Sequence, residues 1–137
     1  GRRVGCRTYL EQAGIPWSTV HVAVGHGTAR DGYAAASRLL TDHPWLTGLV
    51  CGNDCMAMGA YAAIREQGLR VREDVAVIGI DDQELIADQV HPALTTVALP
   101  FEEMGQVAVS HLLALMEGEE VPAETLLPGT IIRRSSA

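Results

Sequence analysis

Along the chain the spacing of apolar residues switches repeatedly between helix-like and strand-like periods. Val4 to Ala13, "VGCRTYLEQA", predicts a helix closed by Gly14 and Pro16. Thr19 to Val24 alternates, with Val20, Val22 and Val24 on one side, which predicts a strand. Asp31 reads as the N-cap of a helix running through Leu40, with Tyr33, Ala36, Leu39 and Leu40 as its apolar stripe. "TGLVCG" is a short apolar run bounded by glycines, the pattern of a buried strand. From Asn53 the helical period returns at Ala57, Ala60, Tyr61 and Ile64, with Gly68 as its stop. "DVAVIGI" is nearly continuous in β-branched residues and predicts a strand buried on both faces.

This βαβα succession implies an α/β fold in which a parallel sheet is flanked by helices through right-handed crossovers. Ligands in such sheets bind beyond the carboxyl ends of the strands. Three such ends, "VGHGT", "CGNDC" and "IGIDDQE", each set polar or charged residues directly after an apolar run. After Asp82 the rhythm changes: "HPALTTVALP" is extended between Pro92 and Pro100. A helix from Phe101 follows, with Met104, Ala108, Leu112 and Leu115 as its inward stripe and Gly118 at its end. "ETLLPGTIIRRSS" then reads as strand-like segments.

Composition narrows the function classes. The 137 residues are 47% hydrophobic and 20% charged, which fits one globular domain rather than a disordered chain. With two Trp, three Tyr and one Phe, the core must rest on aliphatic residues. A formal charge of −7, with adjacent basic residues only at Arg2-Arg3 and Arg133-Arg134, argues against nucleic-acid binding by this chain itself. No apolar run approaches the ~20 residues of a membrane span, and no signal-peptide pattern opens the chain. Three cysteines, Cys6, Cys51 and Cys55, fit a reduced, cytoplasmic setting. The C-x-x-x-C of "CGNDC" has neither metal-site nor redox spacing and no second ligand pair, so no metal is expected.

Catalytic patterns are weak. Gly25 and Gly27 begin a G-x-G-x-x-G/A dinucleotide loop, but Arg30 stands where its third small residue belongs. Asp54, the acid nearest the expected position at the tip of the next strand, lies too far downstream of Gly27 for the ribose contact. A tight strand-to-helix turn accounts for both glycines. No serine sits in G-x-S-x-G, and the five histidines have no paired-ligand spacing. His111, near the apolar stripe of its helix, reads as a packed histidine. Asp81 and Asp82 are adjacent at a strand end and point different ways, a poor arrangement for sharing a proton. No catalytic residue and no cofactor is expected, and the chain is not read as an enzyme.

"NDCMAMGA", followed by "EQG" and then "VAVIGIDD", resembles the ligand-binding core of lactose/galactose-repressor-type bacterial transcription regulators. "HPALTTVALPFEEMGQVAV" resembles that family's P-x-L-T-T-V segment and following helix, and "LLPGTIIRRSS" its terminal strand. The resemblance covers essentially the whole chain. It implies the C-terminal lobe of a type I periplasmic-binding-protein-like core, incomplete as it stands. Residues 1–90 would form the lobe, 91–120 the crossover and a helix normally packed on an N-terminal lobe missing from the chain, and 121–137 the terminal strand segments. The strand that should precede the first helix is expected to be cut off, and the Phe101 helix to need another cover for its stripe, such as a neighbouring chain.

The resemblance also implies function. Family members bind a small effector, often a sugar or nucleobase, associate as homodimers, and contact DNA through an N-terminal helix-turn-helix domain that this chain lacks. Arg2, Asn53 and Asp81 match effector-contacting positions: a planar donor fork, an amide that both donates and accepts, and a carboxylate for hydroxyls. Many members carry an aromatic residue near Gly27; here "GHGT" offers His26 in its place. The expectation is therefore an effector-binding and oligomerisation region, most simply for a sugar, with no membrane role. A periplasmic-type solute-binding protein of the same fold is the rival, and an NAD-dependent oxidoreductase a more distant one.

Overall fold

The computed structural model describes residues 1–137 and builds them around one helix pair, α2 (Ala29–Asp42) and α3 (Asp54–Glu66). Before it come α1 (Arg2–Gln12) and a single 3-10 turn at Trp17–Thr19. The sheet takes β1 (Gly48–Val50), β2 (Ala76–Asp81), β3 (Thr95–Ala98) and β4 (Thr130–Ile132), in that spatial order. β1, β2 and β3 are parallel neighbours, while β4 returns antiparallel to β3. A short α4 (Glu84–Ala87) follows β2, and the long α5 (Phe101–Met116) follows β3. The expected α/β fold with a mostly parallel sheet and flanking helices is therefore present.

Local chemistry explains the helix starts. Thr28, not Asp31, is the N-cap of α2: its hydroxyl accepts the Asp31 amide at 3.1 Å and donates to the Asp31 carboxylate at 2.9 Å. Asp31 thus acts from within the first turn, as the reciprocal partner of a capping box. The strand expected at Thr19–Val24 does not form. Beyond the 3-10 turn the segment runs on as irregular chain outside the four-stranded sheet, and Val22 and Val24 stay exposed. Alternation predicts which side of a strand would be buried, but a strand also needs a neighbour to hydrogen-bond. β1 is likewise an edge strand with only Leu49 half-buried, and β2 buries Val77 and Gly79 fully while Ala76, Ile78 and Ile80 are half-covered.

The core lies between α3 and the sheet: Tyr61, Ile64, Val75, Val77, Ala87 and Leu94 are each almost fully buried, with Leu40 brought in from α2. Tyr61 donates its hydroxyl to the Pro92 carbonyl at 2.9 Å, so the one aromatic ring in this core keeps a polar partner. α5 stands apart. None of its side chains is buried, and the expected inward stripe faces solvent, with Leu112 57% and Leu115 55% exposed. The amphipathic spacing is real, but no element of this fold buries it.

α2 and α3 approach each other so closely that a side chain at Gly59 has no room. A Cβ there would stand 1.9 Å from the Ala29 carbonyl oxygen and 2.6 Å from the Tyr33 nitrogen. Gly59→Ala gains about 1 kcal/mol of helix propensity, but the atoms in its way are backbone and can yield only by separating the helices. We expect a net loss of about 2 kcal/mol, the scale of overpacking, measured by urea unfolding. An unchanged or higher midpoint would show that the two helices are not in contact as described.

Candidate functional site

The site is organised by a carboxylate that touches no solvent. Asp54 opens α3 just beyond β1 and is fully buried. One of its oxygens accepts the Thr96 hydroxyl of β3 at 2.6 Å; the other accepts the Gln83 amide, after β2, at 2.8 Å. The segments after β1 and β2 and the interior of β3 therefore converge on one side chain. The sheet makes room by leaving out an atom: a Cβ at Gly79 would lie 2.1 Å from Asp54 Oδ1. Burial is the largest influence on this carboxyl and pushes its pKa up; the Thr96 and Gln83 donors pull it down, and the nearby Asp81 and Asp82 charges add to the rise.

Asn53, one residue earlier, caps α3. Its Oδ1 accepts the Met56 amide at 2.8 Å, and its Nδ2 donates to the Gly27 carbonyl at 3.0 Å. It fastens the turn before α2 to the start of α3. That turn carries His26, an exposed residue whose backbone amide donates to the Asp31 carboxylate at 3.1 Å. Hydrogen bonds from Thr28 and His26 hold the Asp31 carboxyl below its ordinary range. A charged carboxylate thus occupies the helix N-terminus where a dinucleotide phosphate would have to sit. The two glycines turn the chain, and the oxidoreductase reading loses its only support.

Asp81 ends β2 with φ 114°, and Asp82 follows at φ 55°, so two successive non-glycine residues sit at positive φ. Such strain persists only where neighbouring contacts hold it. Here Arg134 pairs with Asp82 at 2.8 Å and with Asp88 at 2.6 Å, and the Gln83 amide is fixed on Asp54. The Asp81 carboxylate receives Arg2 on Oδ1 at 3.3 Å and the Gln83 side-chain amide on Oδ2, also at 3.3 Å. Arg2 remains 54% exposed, so this ion pair adds little to stability and leaves the guanidinium open on one side.

The four residues singled out in the sequence fall into two hydrogen-bonded groups that meet only through chain neighbours. One runs from Arg2 through Asp81 and Gln83 to Asp54; the other joins Asn53, next to Asp54, to Gly27, next to His26. An open depression of about 700 Å³ lies elsewhere, along Leu99, Pro100, Phe101, Glu102, Glu103 and Gln106. Sequence reasoning missed Gln83 and gave Asp54 no structural weight. A buried acid immediately after a strand, with a threonine in the neighbouring strand, was the available signal. Ser136 was also missed: fully buried, its hydroxyl donates to the Val77 carbonyl and accepts the Thr95 amide, joining β2 to β3.

Comparison with known proteins gives this arrangement a context. The description "Periplasmic binding protein-like domain" matches residues 1–137. The chain belongs to the periplasmic-binding-protein-like domain family. Among its relatives in that family is the HTH-type transcriptional repressor PurR of Yersinia pestis, 37% identical over 139 residues, covering all of this chain and 40% of that protein. PurR of Photorhabdus laumondii is 39% identical over 137 residues, again with 40% of its length covered. The chain thus spans about two fifths of the length of these relatives. Solved periplasmic-binding-protein-like structures agree: the lac repressor bound to ONPG in its repressed state superposes with a TM-score of 0.90 at 34% identity, over 99% of this chain and 40% of that one. The CelR–cellobiose complex gives a TM-score of 0.90 at 33% identity, over 97% and 41%.

Asp54 makes a testable pH signature. Because its folded-state pKa lies above the ordinary aspartate value of 3.8, the fold favours the protonated acid. Its contribution to stability is full below that value and declines as pH rises through the raised one. The stability of the wild type minus that of Asp54→Asn, from urea unfolding at successive pH values, is expected to fall as pH rises from acid toward neutral. A difference that stays flat or widens would contradict the burial argument.

Proposed function

We propose that this chain is the effector-binding region of a DNA-binding transcriptional regulator that responds to a small polyhydroxylated molecule, most simply a sugar. The observation that carries this reading is the hydrogen-bonded set of Arg2, Asp81 and Gln83 at the end of β2, fastened to Asp54 beside Asn53, whose amide bonds the Gly27 carbonyl next to His26. It joins a charge-paired carboxylate and an amide to backbone held rigid by Asp54. A carboxylate flanked by donors accepts hydroxyl hydrogen bonds without repelling a neutral ligand. Relatives named as repressors, and neighbours solved with ONPG and with cellobiose, support both halves of the reading.

In this reading residues 1–90 form one lobe, and α5, within 91–120, packs its exposed stripe on a second lobe lying elsewhere in the polypeptide. Residues 121–137 close the sheet. The regulator is a cytoplasmic homodimer that reaches DNA through a helix-turn-helix domain outside this chain. No helix here is long and apolar enough to cross a membrane. The chain takes no catalytic part.

Calorimetric titration of the native polypeptide with a panel of mono- and disaccharides and nucleobases tests the proposal. A saturable sugar signal is expected, weakened at least about tenfold by Asp81→Ala, the scale of one charge-assisted hydrogen bond. The bound sugar should also shift operator affinity in a gel-shift assay. Binding of nucleobases alone would replace the sugar, and binding with no effect on DNA would remove the regulator.

A further inference from the structure

We propose that Gln83 is a specificity-determining contact of this site, presenting its side-chain amide beside Asp81 to a vicinal diol of the effector. The inference rests on the effector-binding reading above and adds a residue and a ligand chemistry to it.

The two amides of the site differ in how firmly they are held. Asn53 is committed at both ends, with bonds of 2.8 and 3.0 Å to backbone groups that fix the start of α3 and the Gly27 turn. Giving up either bond would loosen the fold. The Gln83 side chain is held by long contacts: Nε2 donates to Asp81 at 3.3 Å, and Oε1 receives only the Cys55 thiol, at 3.7 Å. A thiol is a weak donor, and both distances lie at the long end of hydrogen bonding. Exchanging them for a ligand hydroxyl therefore costs little.

The Gln83 backbone, by contrast, is pinned: its amide donates to the buried Asp54 at 2.8 Å. The side chain thus extends from a fixed point, half-buried and partly desolvated, which raises the value of each hydrogen bond it makes. In order across the site stand a donor, Arg2; an acceptor, Asp81; and a group that is both, Gln83. Neighbouring hydroxyls each donate and accept, so a vicinal diol matches this order. An anionic ligand does not, since the Asp81 carboxylate faces it with Asp82 adjacent.

The test uses the native polypeptide and two probes: the tightest binder in a panel of mono- and disaccharides, and its epimer at a single hydroxyl. Lactose and cellobiose form one such pair. Gln83→Leu is expected to weaken the better probe by roughly tenfold or more and to compress the affinity ratio between the epimers. A side chain that only supported the fold would shift both affinities together and leave the ratio intact. Gln83→Glu, which turns the donor facing Asp81 into a second carboxylate, should weaken binding further. Gln83→Asn, which keeps the amide on a shorter stem, should fall between wild type and Gln83→Leu. Wild-type affinities and an unchanged ratio in Gln83→Leu would overturn the inference while leaving the effector-binding reading in place. A wild type that binds no sugar of the panel would overturn both.

Discussion

A single buried carboxylate sets the terms for the rest of this molecule. Asp54 has no solvent to satisfy it, so its two oxygens must be met by protein donors, and the donors available lie on two other segments. Leaving a buried acid unpaired would cost several kcal/mol. That penalty forces β3 and the turn after β2 to stay in register with the start of α3. The sheet contributes a glycine at position 79 for the same reason. What looks like a collection of loops at one end of the sheet is therefore a fastened platform, and the groups that face outward from it, Asp81 and the Gln83 amide, inherit its rigidity.

The legible part of the fold was the part that local chemistry decides. Helix spacing, glycine stops and β-branched runs located α2, α3, β2 and α5 well, because those patterns report each segment's own period. The segment Thr19–Val24 was misread because alternation reports sidedness alone, and the segment pairs with no strand of the sheet. Asp31 was misplaced by one capping role, since Thr28 and Asp31 exchange hydrogen bonds and either can look like the cap.

The candidate site divides along the same line. Arg2, Asn53 and Asp81 were named through a family resemblance, and the folded chain sets them in two hydrogen-bonded groups that meet only through chain neighbours. Their individual duties were only partly legible. Asn53, singled out as an amide that both donates and accepts, is bound at both ends, while Gln83, which was not singled out, is the amide with capacity to spare. Which polar side chain is already engaged depends on partners distant in sequence, such as Gly27 for Asn53, and no local pattern records them.

The Ser136 hydroxyl bridges residues 59 and 41 positions earlier in the chain, bonding the Val77 carbonyl and the Thr95 amide. During synthesis the central strands emerge long before the residue that fastens them. Until then a buried carbonyl and a buried amide at the middle of the sheet lack their partner. Contacts of such high sequence separation form late and slow the approach to the folded state. A nascent chain stalled before residue 136 would therefore expose an incompletely bonded sheet, and that interval is when chaperone capture or edge-to-edge association competes most strongly with folding.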